Sequence, residues 1–398
     1  MDPNDLERYA ELIVRVGANV QPGQVVEVGS EPGKEALTRA VVRAAFRAGA
    51  RHVDVTYDDM HVKRARILHA PDGALGYAPD WVRLQVHELS ELRGASIFLT
   101  GPAEPGLLDG LDSERIGLDR TPVSADWENA INSRTVNWTA VPAPTPAWAA
   151  IVHPELEPDA ALARLWEQAL HVCRLDAPDP AEAWRQRDAE LRATAARLTR
   201  LELDRLHFRG PGTDLTVGLL PTSHWEGGGE TTVDGIRHMP NLPTEEVFTT
   251  PDPTRTEGVV RATRPRELAG TVVRGLEVRF EGGRAVDVRA DTGADALRAR
   301  IARDEGGARL GEVALVDAQG RIAPLDTVFL DALLDENAAS HIALGAALEV
   351  CVDATDLDRI NRSEIHVDVM IGGDDVAVTG VTTAGADVDI LVGGAWRV

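Results

Sequence analysis

Along the first third of the chain, apolar positions switch repeatedly between a period of two and a period near 3.6. Gln24–Val28 (QVVEV) reads as a short buried strand behind the Pro22-Gly23 turn, and Arg51–Tyr57 and Ala95–Thr100 read as two more. Between the first two, Lys34–Ala48 places Leu37, Val41, Ala44 and Ala45 on one helical face. The chain opens with helical spacing at Leu6, Tyr9, Ile13 and Val14. Strands alternating with helices predict βαβ units and a mainly parallel sheet. The proline- and tryptophan-rich stretch Asn137–Ala150 reads as loop, and helical segments follow near Asp159–Arg174 and Pro180–Thr199. Beyond Leu203 the texture changes to short alternating runs, among them Leu206–Arg209, Asp214–Leu220, Leu276–Phe280 and Ala285–Arg289, parted by glycine-containing turns. The expected fold class is α/β: an N-terminal α/β domain over residues 1–200, then a strand-rich α+β domain over residues 201–398.

Composition narrows the function. The 398 residues carry 64 acidic against 41 basic side chains, a formal net charge of −23. Such a surface repels phosphate backbones and anionic lipid, so neither nucleic acid nor membrane is an expected partner. Two distant cysteines, Cys173 and Cys351, exclude a disulfide framework and a thiolate zinc site. No run of 18 apolar residues occurs, and the acidic, helically patterned start is unlike a signal peptide, so a cytoplasmic location is expected.

Several residues carry chemistry. Gly29–Lys34 resembles a phosphate loop, but its glycines are one residue too close and Glu35 stands where a Ser or Thr would bind magnesium. In Glu364–Ile371, strand alternation points His366 and Asp368 to one side, about 7 Å apart at Cα. An isolated pair of this kind is more often a solvated strand face, yet the surrounding run is apolar. Glu312 lies in the apolar run Gly311–Val316, where it either keeps contact with water or needs a partner or a cation. His341 falls in Asp335–Leu348, read as a small-residue helix capped by Asp335, where a lone histidine is ordinarily core. Glu245 and Glu246 sit in a segment stiffened by Pro243 and Pro251. Together Glu246, Glu312, His341, His366 and Asp368 make an oxygen-and-imidazole set without thiolate. That set suits zinc, cobalt, manganese or iron, and a bridging carboxylate can hold two ions about 3.5–4 Å apart.

At these residues the chain resembles the aminopeptidase T-type family of dinuclear metallopeptidases. The resemblance spans essentially the whole chain and is most specific at Asn241–Pro251, Leu310–Val316, Asp335–Gly345 and Ser363–Gly372, with Pro144–Trp148 beside them. It implies a C-terminal catalytic domain and a homodimer. It also implies removal of N-terminal residues from short peptides through a water activated by two divalent ions (zinc, cobalt or manganese). It assigns the ligands as Glu246, Glu312, His341, His366 and Asp368. Glu245, next to a ligand, is the candidate general base, although neighbours on a strand point oppositely. The family tyrosine seven residues after the histidine is here Leu348, and a second is Leu330; the chain's tyrosines are Tyr9, Tyr57 and Tyr77. On the helical reading, residue 348 lies about 10.5 Å along the face of His341, and its lost hydroxyl implies weakened or narrowed turnover. Two alternatives keep the scaffold: a ring-cleaving dioxygenase using one Fe(II), and an inactive metal-binding dimeric interaction protein.

Overall fold

Val25–Ser30 (β1), His52–Tyr57 (β2), Ala95–Thr100 (β3) and Asn137–Pro142 (β4) pair in parallel in the order β2-β1-β3-β4. The structure is a computed structural model and describes residues 2–119, 123–268 and 271–398. Contacts divide the chain into residues 1–185 with 229–243, and residues 186–228 with 244–398. The first change of unit falls between Arg185 and Gln186, near the start of the helix Pro180–Arg200, where a boundary near residue 200 is expected from the sequence. No helix among the described residues is long and apolar enough to cross a membrane.

In the first unit, the helix Glu35–Arg47 buries Leu37, Ala40, Val41, Ala44 and Ala45, the stripe its spacing predicts. Lys34, just before it, is spent structurally. Its Nζ donates to the carbonyls of Leu99 (2.8 Å) and Gly101 (2.7 Å) and meets Glu31 Oε2 at 2.6 Å, which leaves no phosphate loop. The stretch Asn137–Ala150, expected as loop, is strand β4 followed by the helix Pro146–Val152. Its prolines mark the junction: Pro142 ends the strand, and Pro146 opens the helix, where its missing N–H costs nothing. Thr145 caps that helix by accepting from Trp148 N at 3.2 Å, and Trp148 is fully buried.

The second unit holds an eight-stranded sheet and a five-stranded antiparallel sheet. The latter runs in the order His366–Met370, His341–Gly345, Leu310–Val316, Glu246–Thr249 and Glu226–Gly227. The helix expected over 335–348 is corrected here. The helix is only Ala332–Glu336, and His341–Gly345 is a strand buried along its whole length. Alanine and leucine favour helix, but pairing on both edges with two apolar strands overrides that preference. Leu348 therefore does not lie two helical turns beyond His341. Leu348 follows the strand, with its N–H and C=O both bonded to Thr250 Oγ1 (3.2 and 2.7 Å).

Gly345 ends this strand opposite His366 with φ +111°, and a Cβ there would come within 2.0 Å of the Ile365 carbonyl oxygen. Gly345→Ala is therefore expected to cost about 1–3 kcal/mol of stability. The midpoint of urea unfolding checks this, and an unchanged midpoint would contradict it.

Candidate metal centre

Strand register builds the centre. Glu246 pairs with Val316, His341 with Ala314, Asp368 with Ala343, and His366 with Gly345, while Glu312 also faces Ala343. Paired residues share a face and alternate residues return to it, so all five expected ligands project from one side of the sheet. The other side carries Val247, Val313, Leu315, Ile342, Leu344, Val367 and Val369 into the hydrophobic core. Alternation that buries one row of side chains thus presents the other as a cluster, with Ala314 and Ala343 the small residues between ligands.

Glu312 sits at the middle. Its Oε2 lies 3.0 Å from His366 Nε2, and its Oε1 lies 4.0 Å from His341 Nε2. Asp368 Oδ1 is 3.1 Å from His366 Nε2, and Glu246 Oε2 is 3.4 Å from His341 Nε2. Two ligand sets result, Glu246–Glu312–His341 and Glu312–His366–Asp368, each with its donor atoms within 4.8 Å of one another. Both imidazoles are held from behind: His341 Nδ1 lies 3.1 Å from the Glu336 carbonyl, and His366 Nδ1 lies 3.0 Å from that of Ala346. A carbonyl can only accept, so each Nδ1 carries a proton, and each ring, when neutral, turns its Nε2 lone pair toward carboxylates. Lone pair facing lone pair is repulsive unless a proton or a cation lies between them.

Electrostatics agree with that geometry. Burial, then the like charges of Glu312 and Asp368, push the Glu246 carboxyl up to about 7 against the pull of the histidines. Its Oε2 is buried with no hydrogen-bond donor. Burial would lower both histidines, but the carboxylates around them outweigh it and raise His341 and, further, His366. Burial also works against ionised Asp368, yet Arg266, whose Nη1 is 3.1 Å from Asp368 Oδ2, and then His366 hold it well below the usual carboxylate range. A buried acceptor without a donor, next to rings oriented as ligands, fits divalent cations with oxygen and nitrogen donors.

Glu245 is not brought to the cluster. Its side chain is fully buried and its Oε2 pairs with Arg187 Nη2 at 2.6 Å, while its N–H donates to Asn337 Oδ1 at 2.7 Å. Two residues escaped sequence reasoning. Glu336 ends the short helix before His341, and burial, then Asp368, Glu246 and Glu312, raise its carboxyl well above the usual range. Its signal was an acid immediately after Asp335 in a motif whose histidine drew the attention. Arg266, on the short strand Arg266–Leu268, had no signal at all.

The profile of the thermophilic metalloprotease (M29) family matches residues 2–396. Aminopeptidase T of Thermus thermophilus is 40% identical over 403 residues, covering 99% of this chain and 98% of that protein. Aminopeptidase 2 of Geobacillus stearothermophilus is 35% identical, covering 98% and 97%. A solved structure of wild-type AmpT from Thermus thermophilus superposes with a TM-score of 0.92 at 39% identity, covering 99% of both chains. The 2,5-dihydroxypyridine dioxygenase of Pseudomonas putida superposes with a TM-score of 0.56 at 12% identity, covering 100% and 98%, a likeness of fold alone.

Protonation of the metal-free cluster has a thermodynamic consequence. Glu246, His341 and His366 bind protons more tightly folded than unfolded, so their contribution is greatest at low pH; that of Glu246 is lost as pH rises through about 7, and that of the histidines above the ordinary imidazole range. Asp368, shifted the other way, acts only below the ordinary aspartate range. The melting temperature of chelator-treated protein should fall from pH 5 to 8, and added cobalt should raise it most at the upper end. Glu246→Gln should flatten the decline; a metal-free melting temperature that rises over this range would contradict the assignment.

Proposed function

The chain belongs to the thermophilic metalloprotease (M29) family, and we propose that it removes N-terminal residues from peptides using two divalent ions held by Glu246–Glu312–His341 and Glu312–His366–Asp368. The observation that carries this reading is the sharing of Glu312: its two oxygens face two histidines whose Nδ1 atoms are both occupied. Bound ions would supply Lewis acidity toward the scissile carbonyl and lower the pKa of water.

Charge supports two ions over one. Glu246, Glu312, Glu336 and Asp368 against Arg266 leave three negative charges when all are ionised. One divalent ion leaves the cluster negative and hostile to a developing oxyanion, and two make it positive by one. For the same reason a single iron and oxygen chemistry are not favoured.

Protein side chains have distinct tasks in this reading. His341 and His366 are fixed by carbonyls, so their lone pairs need no reorganisation. Arg266 occupies Asp368 Oδ2 and leaves Oδ1 for the site. Glu336 is the acid–base group: burial and the like charges around it raise its carboxyl well above the usual range, so it holds a proton more readily than a free carboxyl and releases it as the surroundings become more positive. Glu245, locked to Arg187, shapes the strand that carries Glu246. The second unit contains no tyrosine, and with leucine at position 348 no phenol there stabilises developing charge. A cytoplasmic homodimer completes the proposal; exposed Val62, Tyr77, Trp81 and Leu84 on the first unit offer apolar surface to a second copy.

Chelator-treated protein should be inactive on leucine p-nitroanilide and regain activity with cobalt, zinc or manganese. No recovery with any of them would contradict the peptidase reading, and recovery with iron and oxygen uptake would favour the dioxygenase. In the same assay Leu348→Tyr, which restores the tyrosine of the family motif, should raise kcat with metal content unchanged. An equal or lower kcat would remove the missing phenol from the account.

A further inference from the structure

Beside the cluster, on the side of His366, lies a cavity of about 220 Å³ whose wall includes His366, Met370, Leu330, Arg266 and Arg300. The two arginines differ. Arg266 is engaged with Asp368. Arg300, in the last turn of the helix Ala294–Ile301, is half-buried, and its guanidinium has neither hydrogen bond nor ion pair among the described residues. The acids of the same wall are already committed. Asp335 accepts from the N–H groups of Phe329 (2.8 Å) and Asp331 (3.2 Å), Asp331 accepts from Leu334 N (3.2 Å), and Glu267 also has partners. Leu330 reaches the cavity with φ +56°, a left-handed backbone that a leucine holds only at a cost.

A guanidinium partly removed from water and lacking an acceptor gains most from a planar anion that it can grip with two N–H groups. The space admits a carboxylate on a short stem, and Leu330 and Met370 line that stem with apolar surface. We propose that this cavity is a subsite for a carboxylate carried by the residue after the cleaved bond, received by Arg300 with Arg266 behind it. The inference rests on the aminopeptidase reading and makes short peptides with a free C-terminus, or with an acidic side chain at that residue, the favoured substrates.

Steady-state kinetics of the metal-loaded protein on four peptides separate the sources: Leu-Gly against Leu-Gly-amide tests the C-terminus, and Leu-Glu-amide against Leu-Gln-amide tests the side chain. One of these pairs should differ in kcat/KM by about tenfold or more, chiefly through KM, as expected of one charged hydrogen-bonded contact. Arg300→Gln should bring that ratio close to one, and Arg300→Lys should keep part of it. Equal rates within both pairs, or an Arg300→Gln ratio like that of the wild type, would overturn the subsite while leaving the peptidase reading intact. Failure to cleave any of the four would sink the peptidase reading instead. Calorimetric titration with Leu-Gly whose peptide bond is reduced to CH₂–NH, against its amide, then decides the subsite: tighter binding of the acid supports it, and equal binding overturns it.

Discussion

Crowding of carboxylates on one sheet face is the interaction on which the rest of the second unit turns. Glu246, Glu312 and Asp368 are each less than a tenth exposed, and burial removes the water that would screen them from one another. Histidine protonation and Arg266 relieve part of that repulsion. Glu246, pushed up to about 7, and Glu336, driven well above the usual range, show that the relief is incomplete. A cradle in this condition is poised to take up cations, because each ion replaces protons that the fold is forced to carry.

Its precision comes from strand pairing. Four neighbouring strands each contribute ligands at positions fixed by register, and slipping any one toward its next residue would send its ligand into the core and a valine or isoleucine into the cluster. The apolar row beneath therefore specifies the polar row above. Gly345, paired with His366, lets the backbone turn where a side chain would collide with Ile365. The same constraint explains Glu245: one residue before Glu246, it falls on the opposite side and needs Arg187 as a buried partner.

Much of this could be read from the chain. The β1, β2 and β3 strands, the helix Glu35–Arg47 and the strands around Glu312 and His366 follow from apolar runs and periodicity: β1 buries alternate residues and the helix one stripe, while Leu310–Val316 is buried throughout. What escaped was set by tertiary pairing. Residues 341–345 have the composition of a helix and form a strand between two others, and the prolines after Asn137, whose density suggests a loop, mark the junction of a strand and a helix. Family resemblance pointed to the five residues that the fold draws together, but Glu336 and Arg266 emerged only from burial and proximity. A charge held by distant neighbours leaves no local pattern.

Metal content of purified variants reports whether Glu312 is shared between two ions. Wild-type protein dialysed against cobalt should retain two ions per chain by elemental analysis, Glu246→Gln should retain about one, and Glu312→Gln should retain essentially none, because its carboxylate serves both sets. Circular dichroism and melting curves confirm that each variant is folded. One ion per chain in the wild type, or a Glu312→Gln variant that loses no more metal than Glu246→Gln, would contradict the account.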